Sequence, residues 1–160
     1  MKPYRKNVGV VVFNSKGLVL LGNRISNRSS WQFPQGGMDD NEEPIVAAKR
    51  ELYEEVGIDN AEFVYEIPEW LNYDFPENMD LPHLKEYRGQ TQKWFLAYWD
   101  YPTSKCKLDV HEREFETVQF FPLKNAGNTV IEFKKEIYKK LIQVLPPEIE
   151  KFLKTRNESK

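Results

Sequence analysis

The stretch Gly36-Gly37-Met38-Asp39-Asp40-Asn41-Glu42-Glu43-Pro44-Ile45-Val46-Ala47-Ala48-Lys49-Arg50-Glu51-Leu52-Tyr53-Glu54-Glu55-Val56-Gly57-Ile58 decides how this chain of 160 residues is read. Asn41 can cap a helix and Pro44 is tolerated in a first turn. Ile45, Ala48, Leu52 and Val56 then recur at helical spacing until Gly57 offers a C-terminal stop. The pattern predicts one amphipathic helix with a narrow apolar stripe. Glu51, Glu54 and Glu55 stand three and four residues apart, which puts them on one side of it, away from Leu52. Two like charges 4 Å apart repel by roughly 4 kcal/mol even with effective screening. A divalent cation reverses that penalty, and carboxylate oxygens without histidine or thiolate partners suit Mg²⁺ or Mn²⁺. Arg50 precedes Glu54 by four residues, where it can hold that carboxylate. Gly36 and Gly37 permit a tight turn, and with no Cβ they also let the backbone approach a metal or phosphate closely.

Outward from this stretch the chain reads as alternating short strands. Val8 to Phe13 and Leu18 to Leu21 are apolar runs joined by Asn14-Ser15-Lys16-Gly17, the signature of a hairpin. Trp31-Gln32-Phe33 is a third strand, cut off by Pro34-Gln35-Gly36-Gly37. Phe63 to Ile67, Trp70 to Tyr73, Lys93 to Trp99 and Glu116 to Phe121 follow, with an irregular stretch from Asp74 to Arg88. Thr129 to Leu145 is expected to form a second long helix ended by Pro146-Pro147, and residues 154–160 are expected to fray. Residues 1–160 are expected to form a single α/β domain, a mixed sheet between helices.

Composition narrows the function classes. With 40% apolar and 30% charged residues the chain is that of a water-soluble globular protein rather than a disordered or membrane one. The early apolar run is too short for a membrane span and lacks a cleavage site, so a cytoplasmic location is expected. One cysteine, Cys106, excludes an intrachain disulfide, and two distant histidines give no local zinc motif, so any metal is held mostly by oxygen. A net charge of −2 argues against a long nucleic-acid surface. Its distribution is uneven: no acidic residue precedes Asp39, and from there on 17 basic residues face 25 acidic ones. Such asymmetry suits metal held at acidic groups and phosphates at basic ones.

Gly36, Glu42, Arg50-Glu51-Leu52, Glu54-Glu55 and Gly57-Ile58, at these spacings, match the Nudix box at every defined position, and the chain is identified as resembling that family. The resemblance implies the Nudix α/β/α sandwich with a central mixed β-sheet. It also implies metal binding by Glu51, Glu54 and Glu55 with the Gly36 backbone, Arg50 orienting the glutamates, and support of the loop and helix by Glu42, Gly37 and Gly57. Flanking segments are similar to bacterial RNA pyrophosphohydrolases, also described as diadenosine polyphosphate hydrolases. They are Tyr4-Arg5-Lys6-Asn7-Val8-Gly9, Trp31 to Gly37, Gly89-Gln90-Thr91-Gln92-Lys93-Trp94-Phe95, Glu114-Phe115 and Phe133-Lys134. By that likeness Glu114 is a further metal ligand or candidate base, beside Glu54. Arg5, Arg24, Gln35, Tyr73, Gln92, Lys93 and Phe133 would contact substrate.

The implied reaction is Mg²⁺-dependent trimming of 5′-triphosphate or 5′-diphosphate RNA ends to a 5′-monophosphate, which promotes mRNA decay. Hydrolysis of diadenosine tetraphosphate is the alternative, and a silent nucleotide-binding module is disfavoured because every box glutamate is present. Taken singly, Phe133, Tyr73 and Trp31 read equally well as core aromatics, and Glu114 beside Arg113 as a surface ion pair. Lys6, Asn23, Asn41 and Thr91 depart from the residues usual in that family without touching a metal carboxylate.

Overall fold

The structure is a computed structural model describing residues 2–77 and 84–158. Strands β1 (Tyr4–Phe13), β2 (Leu18–Arg24), β3 (Asn27–Gln32), β4 (Gln35–Gly37), β5 (Glu62–Glu66), β6 (Leu71–Asp74), β7 (Gly89–Tyr98) and β8 (Phe115–Pro122) form one sheet. Helices α1 (Pro44–Val56) and α2 (Lys135–Glu158) complete it. β1 and β7 pair in parallel along their whole length, from Tyr4 opposite Gly89 to Phe13 opposite Tyr98, and every other pairing is antiparallel. The sheet is therefore mixed, as expected.

Alternation along β1 and β7 assigns one helix to each face. Val8, Val10, Val12, Phe95 and Ala97 pack with Ala48, Leu52 and Val56 of α1. Val11, Phe13, Trp94, Leu96 and Tyr98 pack with Ile137, Tyr138, Leu141, Leu145 and Ile149 of α2. These two buried layers make the α/β/α sandwich.

The sheet opens where the site will lie. β1 and β2 meet only at Phe13 and Val19, beyond the Asn14 to Gly17 turn, and β2 then pairs with β8. Into the gap comes β4, pairing Gln35, Gly36 and Gly37 with Gly9, Val8 and Asn7. α1 starts from this loop. Its N-cap is Glu43 rather than Asn41; Asn41 instead takes a left-handed conformation at φ 63°, which its short polar side chain tolerates better than most. Gly57 ends the helix at φ 72°, donating its N–H to the Tyr53 carbonyl at 2.8 Å.

The C-terminal helix corrects the sequence reading at both ends. It begins at Lys135 after a 3₁₀ turn (Glu132–Lys134), and it continues through Pro146 and Pro147 to Glu158, so most of the expected fraying segment is helical. An internal proline costs about 3 kcal/mol. Beyond the prolines, however, the apolar stripe resumes: Ile149 is buried, and the Phe152 ring lies 5.5 Å from Phe13 and 4.9 Å from Tyr98. Burying such side chains returns about 1.5–3 kcal/mol each, enough to carry the helix past the break. Ile149→Ala is expected to lower the unfolding free energy by about 2–5 kcal/mol in urea titrations; a change under about 0.5 kcal/mol would mean that this last segment does not hold the sheet.

Candidate active site

Arg50, on the middle of α1, organises the loop and the helix at once. Its Nε and Nη2 donate to the two Glu42 carboxylate oxygens at 2.9 Å each, and Nη2 also donates to the Gly37 carbonyl at 3.0 Å. Nη1 donates to Glu51 at 2.8 Å and to Glu54 at 3.0 Å. All five guanidinium donors are thereby used. The Glu42 carboxylate, which also accepts the Asp39 N–H, is held below its ordinary pKa by Arg50. Arg50 in turn is pushed further above its already high value.

Glu51 and Glu55 are the carboxylates that burial perturbs upward, whereas Glu114 is exposed. Glu51 titrates above the ordinary range because burial outweighs its bond to Arg50. Glu55 is 6% exposed and is driven well above it, first by burial and then by the charges of Glu114 and Glu51. Its hydrogen bond comes from the Gln35 backbone N–H at 3.4 Å, and among the described residues it makes no salt bridge. Glu114, just before β8, is fixed through its carbonyl, which accepts the Ile25 N–H. Arg113 donates to the Phe115 and Glu116 carbonyls, so the expected ion-pair reading of Glu114 has no basis here. A Cβ built on Gly36 would lie 2.0 Å from a Glu51 oxygen, and one on Gly37 would lie 2.0 Å from the Arg5 guanidinium. Without a Cβ at either position, the loop takes the Glu51 carboxylate on one side and the Arg5 guanidinium on the other where they stand.

Among the described residues no group of three or more histidine, cysteine, aspartate or glutamate side chains is arranged to hold a metal ion as it stands. Glu51 and Glu54 each give an oxygen to Arg50. The chemistry of the set nevertheless fits a hard divalent cation: the donors are all oxygen, Glu55 is buried with no salt bridge among the described residues, and Glu51 lies against bare Gly36 backbone.

Beside these carboxylates, on the α2 face of the sheet, a cavity of about 320 Å³ is lined by Arg24, Gln35, Tyr73, Phe133 and their neighbours. Tyr73 and Phe133 stand 5.5 Å apart at 41°, with Phe75 edge-on to both. Burial lifts the Tyr73 hydroxyl to about 12, and it accepts a hydrogen bond from Gln90 Nε2. Arg5 Nη1 donates to Gln90 from the other side, at 3.5 Å.

Comparison with known proteins settles the kinship. Residues 3–144 match the NUDIX domain. The chain belongs to the Nudix family. This Nudix chain is 41% identical over 153 residues to an RNA pyrophosphohydrolase of Bartonella henselae, covering 88% of each chain. It is also 41% identical over 151 residues to one from Nitratiruptor sp., covering 92% of itself and 96% of that protein. Among solved structures it resembles the E. coli dihydroneopterin triphosphate pyrophosphohydrolase (TM-score 0.66, 18% identity, 88% of this chain and 98% of that one). A C. elegans Ap4A hydrolase is similar as well (TM-score 0.63, 21% identity, 88% and 97%). At those identities the structural likeness concerns the fold alone.

The Nudix site gathers most of the residues expected from the sequence but not all. Gln92 lies beneath it, 1% exposed, donating to Asn7 at 2.9 Å and to Gln35 at 3.3 Å. It braces Gln35 instead of lining the cavity. Lys93 points to the opposite face of β7, where its ammonium donates to the Pro68 carbonyl and pairs with Glu66 at 3.4 Å. Trp31 packs on Phe121.

Conversely, Lys134, Gln32, Phe75 and Ile131 line the cavity although sequence reasoning assigns none of them a substrate contact. Lys134 donates to Gln32 Oε1 at 3.3 Å, and Gln32 Nε2 is a buried donor with no hydrogen-bond partner among the described residues. Periodicity gave no reason to look for them, although Lys134 and Gln32 sit next to aromatics that were noted. Burial, aided by the Arg24 charge, lowers the Lys134 ammonium to about 8 from 10.5. Below about pH 8 the folded chain carries this buried charge at a cost; between 8 and 10.5 it releases the proton while the unfolded chain keeps it, so stability rises with pH there. The stability of the native chain relative to Lys134→Met is expected to be flat below pH 7 and then to climb by up to about 1.4 kcal/mol per pH unit across that window. Denaturant titrations with no such slope would refute the buried-cation assignment.

Proposed function

We propose that this Nudix chain, acting as one catalytic domain over residues 1–160, is an Mg²⁺-dependent RNA pyrophosphohydrolase, with Mn²⁺ as a possible substitute. It would act in the cytoplasm, converting 5′-triphosphate or 5′-diphosphate RNA ends to 5′-monophosphates and so promoting mRNA decay. Among the described residues no helix is long and apolar enough to cross a membrane. The observation that carries the reading is the cavity walled by Tyr73, Phe75 and Phe133 directly beside the carboxylate set. Unpaired RNA is recognised by stacking and base-edge hydrogen bonds, and this pocket offers both. Its polar donors, Arg24 and Lys134, suit a base edge rich in acceptors. The identity of about 40% to RNA pyrophosphohydrolases over nearly the whole chain supports the same reading.

Glu51, Glu54, Glu55 and Glu114, with the Gly36 backbone, would hold the cation. When bound, it would supply an activated water and neutralise charge on the bridging and leaving phosphate oxygens. The chain's own residues do the rest. Arg50 fixes Glu51 and Glu54 against the loop, and Arg5, beside Gly37, and Arg24 clamp the phosphates. Glu54 or Glu114 takes the proton from the attacking water. A second reading, hydrolysis of dinucleoside polyphosphates, is favoured by a further cavity across Arg5.

Incubation with Mg²⁺ and 5′-triphosphate RNA is expected to yield 5′-monophosphate RNA, and with diadenosine tetraphosphate a lower kcat/KM; the opposite order would reverse the ranking. Glu54→Gln is expected to lower kcat by about a hundredfold or more with an unchanged melting temperature, because Glu54 fills no core space. A rate equal to that of the native chain at saturating Mg²⁺ would remove Glu54 from the site.

A further inference from the structure

Of the four residues that depart from those usual in the family, Asn23 is the one that is buried, at 7% exposure. It stands where the two ladders of β2 break together. Towards β3, Asn23 faces Trp31 but Arg24 faces Asn27, so Arg28, Ser29 and Ser30 have no opposite residue on β2. Towards β8, Asn23 faces Thr117 but Arg24 faces Phe115, so Glu116 is left out in the same way. Irregularities of this kind increase the local twist, and beside a site they re-aim a side chain.

The Asn23 carboxamide closes the break on both sides. Its Oδ1 accepts the Thr117 N–H at 2.9 Å, and its Nδ2 donates to the Arg28 carbonyl at 3.3 Å. One side chain thereby ties β8 to β3 at the point where both ladders lose register. The left-out residues also meet, Arg28 Nη2 lying 3.7 Å from Glu116 Oε2, but their side chains are 70% and 43% exposed. Exposed ion pairs hold little, so the buried carboxamide is the clasp.

The residue after the clasp is Arg24, whose side chain lines the aromatic cavity, whereas Asn23 does not reach it. Among the described residues the Arg24 guanidinium makes a single hydrogen bond, from Nε to Ser26 Oγ at 3.3 Å. A long side chain with one such contact keeps much of its rotamer freedom, so its aim depends on its backbone. That backbone is tied on both sides, by Asn23 before it and by Ile25 after it, whose N–H donates to the Glu114 carbonyl at 2.9 Å.

We propose that Asn23 is a positioning residue, acting on the substrate through Arg24 by fixing the break in β2 from which that arginine enters the cavity. The inference rests on the reading of the site as one for nucleoside 5′-polyphosphates, and it deepens that reading.

A double-mutant cycle on the full chain tests it, with Mg²⁺ and a 5′-triphosphate dinucleotide RNA as substrate. Arg24→Ala is expected to raise KM about tenfold, the loss of one hydrogen bond from a charged donor. Asn23→Leu, which keeps the volume and removes both bonds, should also raise KM while kcat stays close to native. The double variant should have the KM of Arg24→Ala alone, because the carboxamide has nothing left to aim. Glu116→Ala, which removes only the exposed pair, should keep the native KM. Asn23→Thr, polar and strand-forming but one bond shorter, carries the same cycle if the leucine variant fails to fold. KM losses that add in the double variant would overturn the proposal, since Asn23 would then act on stability or elsewhere in the site. So would a native KM in either Asn23 variant or in Arg24→Ala, or a fall in kcat with KM unmoved. A native chain that does not turn over the triphosphate at all would overturn the reading of the site, and this inference with it.

Discussion

One guanidinium holds the site together. Arg50 joins a loop carbonyl, a loop carboxylate and two helix carboxylates, so the start of α1, the glycine loop and the acidic face of the helix cannot shift independently. A fork of five donors in one plane can do this where a lysine, with a single point of charge, would satisfy fewer partners. The arrangement also concentrates negative charge without requiring every carboxylate to be neutralised locally. Glu51 and Glu54 share Arg50, whereas Glu55 is buried and has only the Gln35 N–H and the more distant Arg24 charge to favour its ionised form.

The sheet serves this arrangement by splitting. Because β1 and β2 touch only beyond their turn, β4 can insert and bring Gly36 and Gly37 to the face of α1. The same split leaves Arg24, at the end of β2, and Gln35, on β4, bordering the aromatic cavity on the α2 face. The carboxylates of α1 and the aromatic cavity consequently lie on opposite faces of the sheet and meet at the gap.

How much of this was legible in the sequence depended on the range of the interactions. α1, its C-cap at Gly57 and the Arg50 to Glu54 bond were readable because they repeat at helical spacing within a few residues. The strands were readable from apolar runs. Asn41 was misread as a cap because a short polar residue before a helix serves a left-handed turn equally well. The helix stop at Pro146 and Pro147 was a sound local inference, overridden by Ile149 and Phe152, whose partners Phe13 and Tyr98 lie far away in sequence. Lys93 and Gln92 illustrate another limit. Strand alternation turns neighbours to opposite faces, and only the register with β1 and β4 shows that neither lines the cavity. Gln32 and Lys134 stayed hidden since their importance comes from meeting across 102 positions.

The parallel pairing of β1 with β7 has a consequence for how the chain is made. β1 is made well before its central neighbour β7, which begins at Gly89, so the run from Val8 to Phe13 must wait, apolar and unpaired along one edge, until β7 has followed it. Contacts so distant in sequence slow folding and lengthen the interval in which sticky segments stand open to other chains. Assembly of the central sheet is thus set by the late arrival of β7.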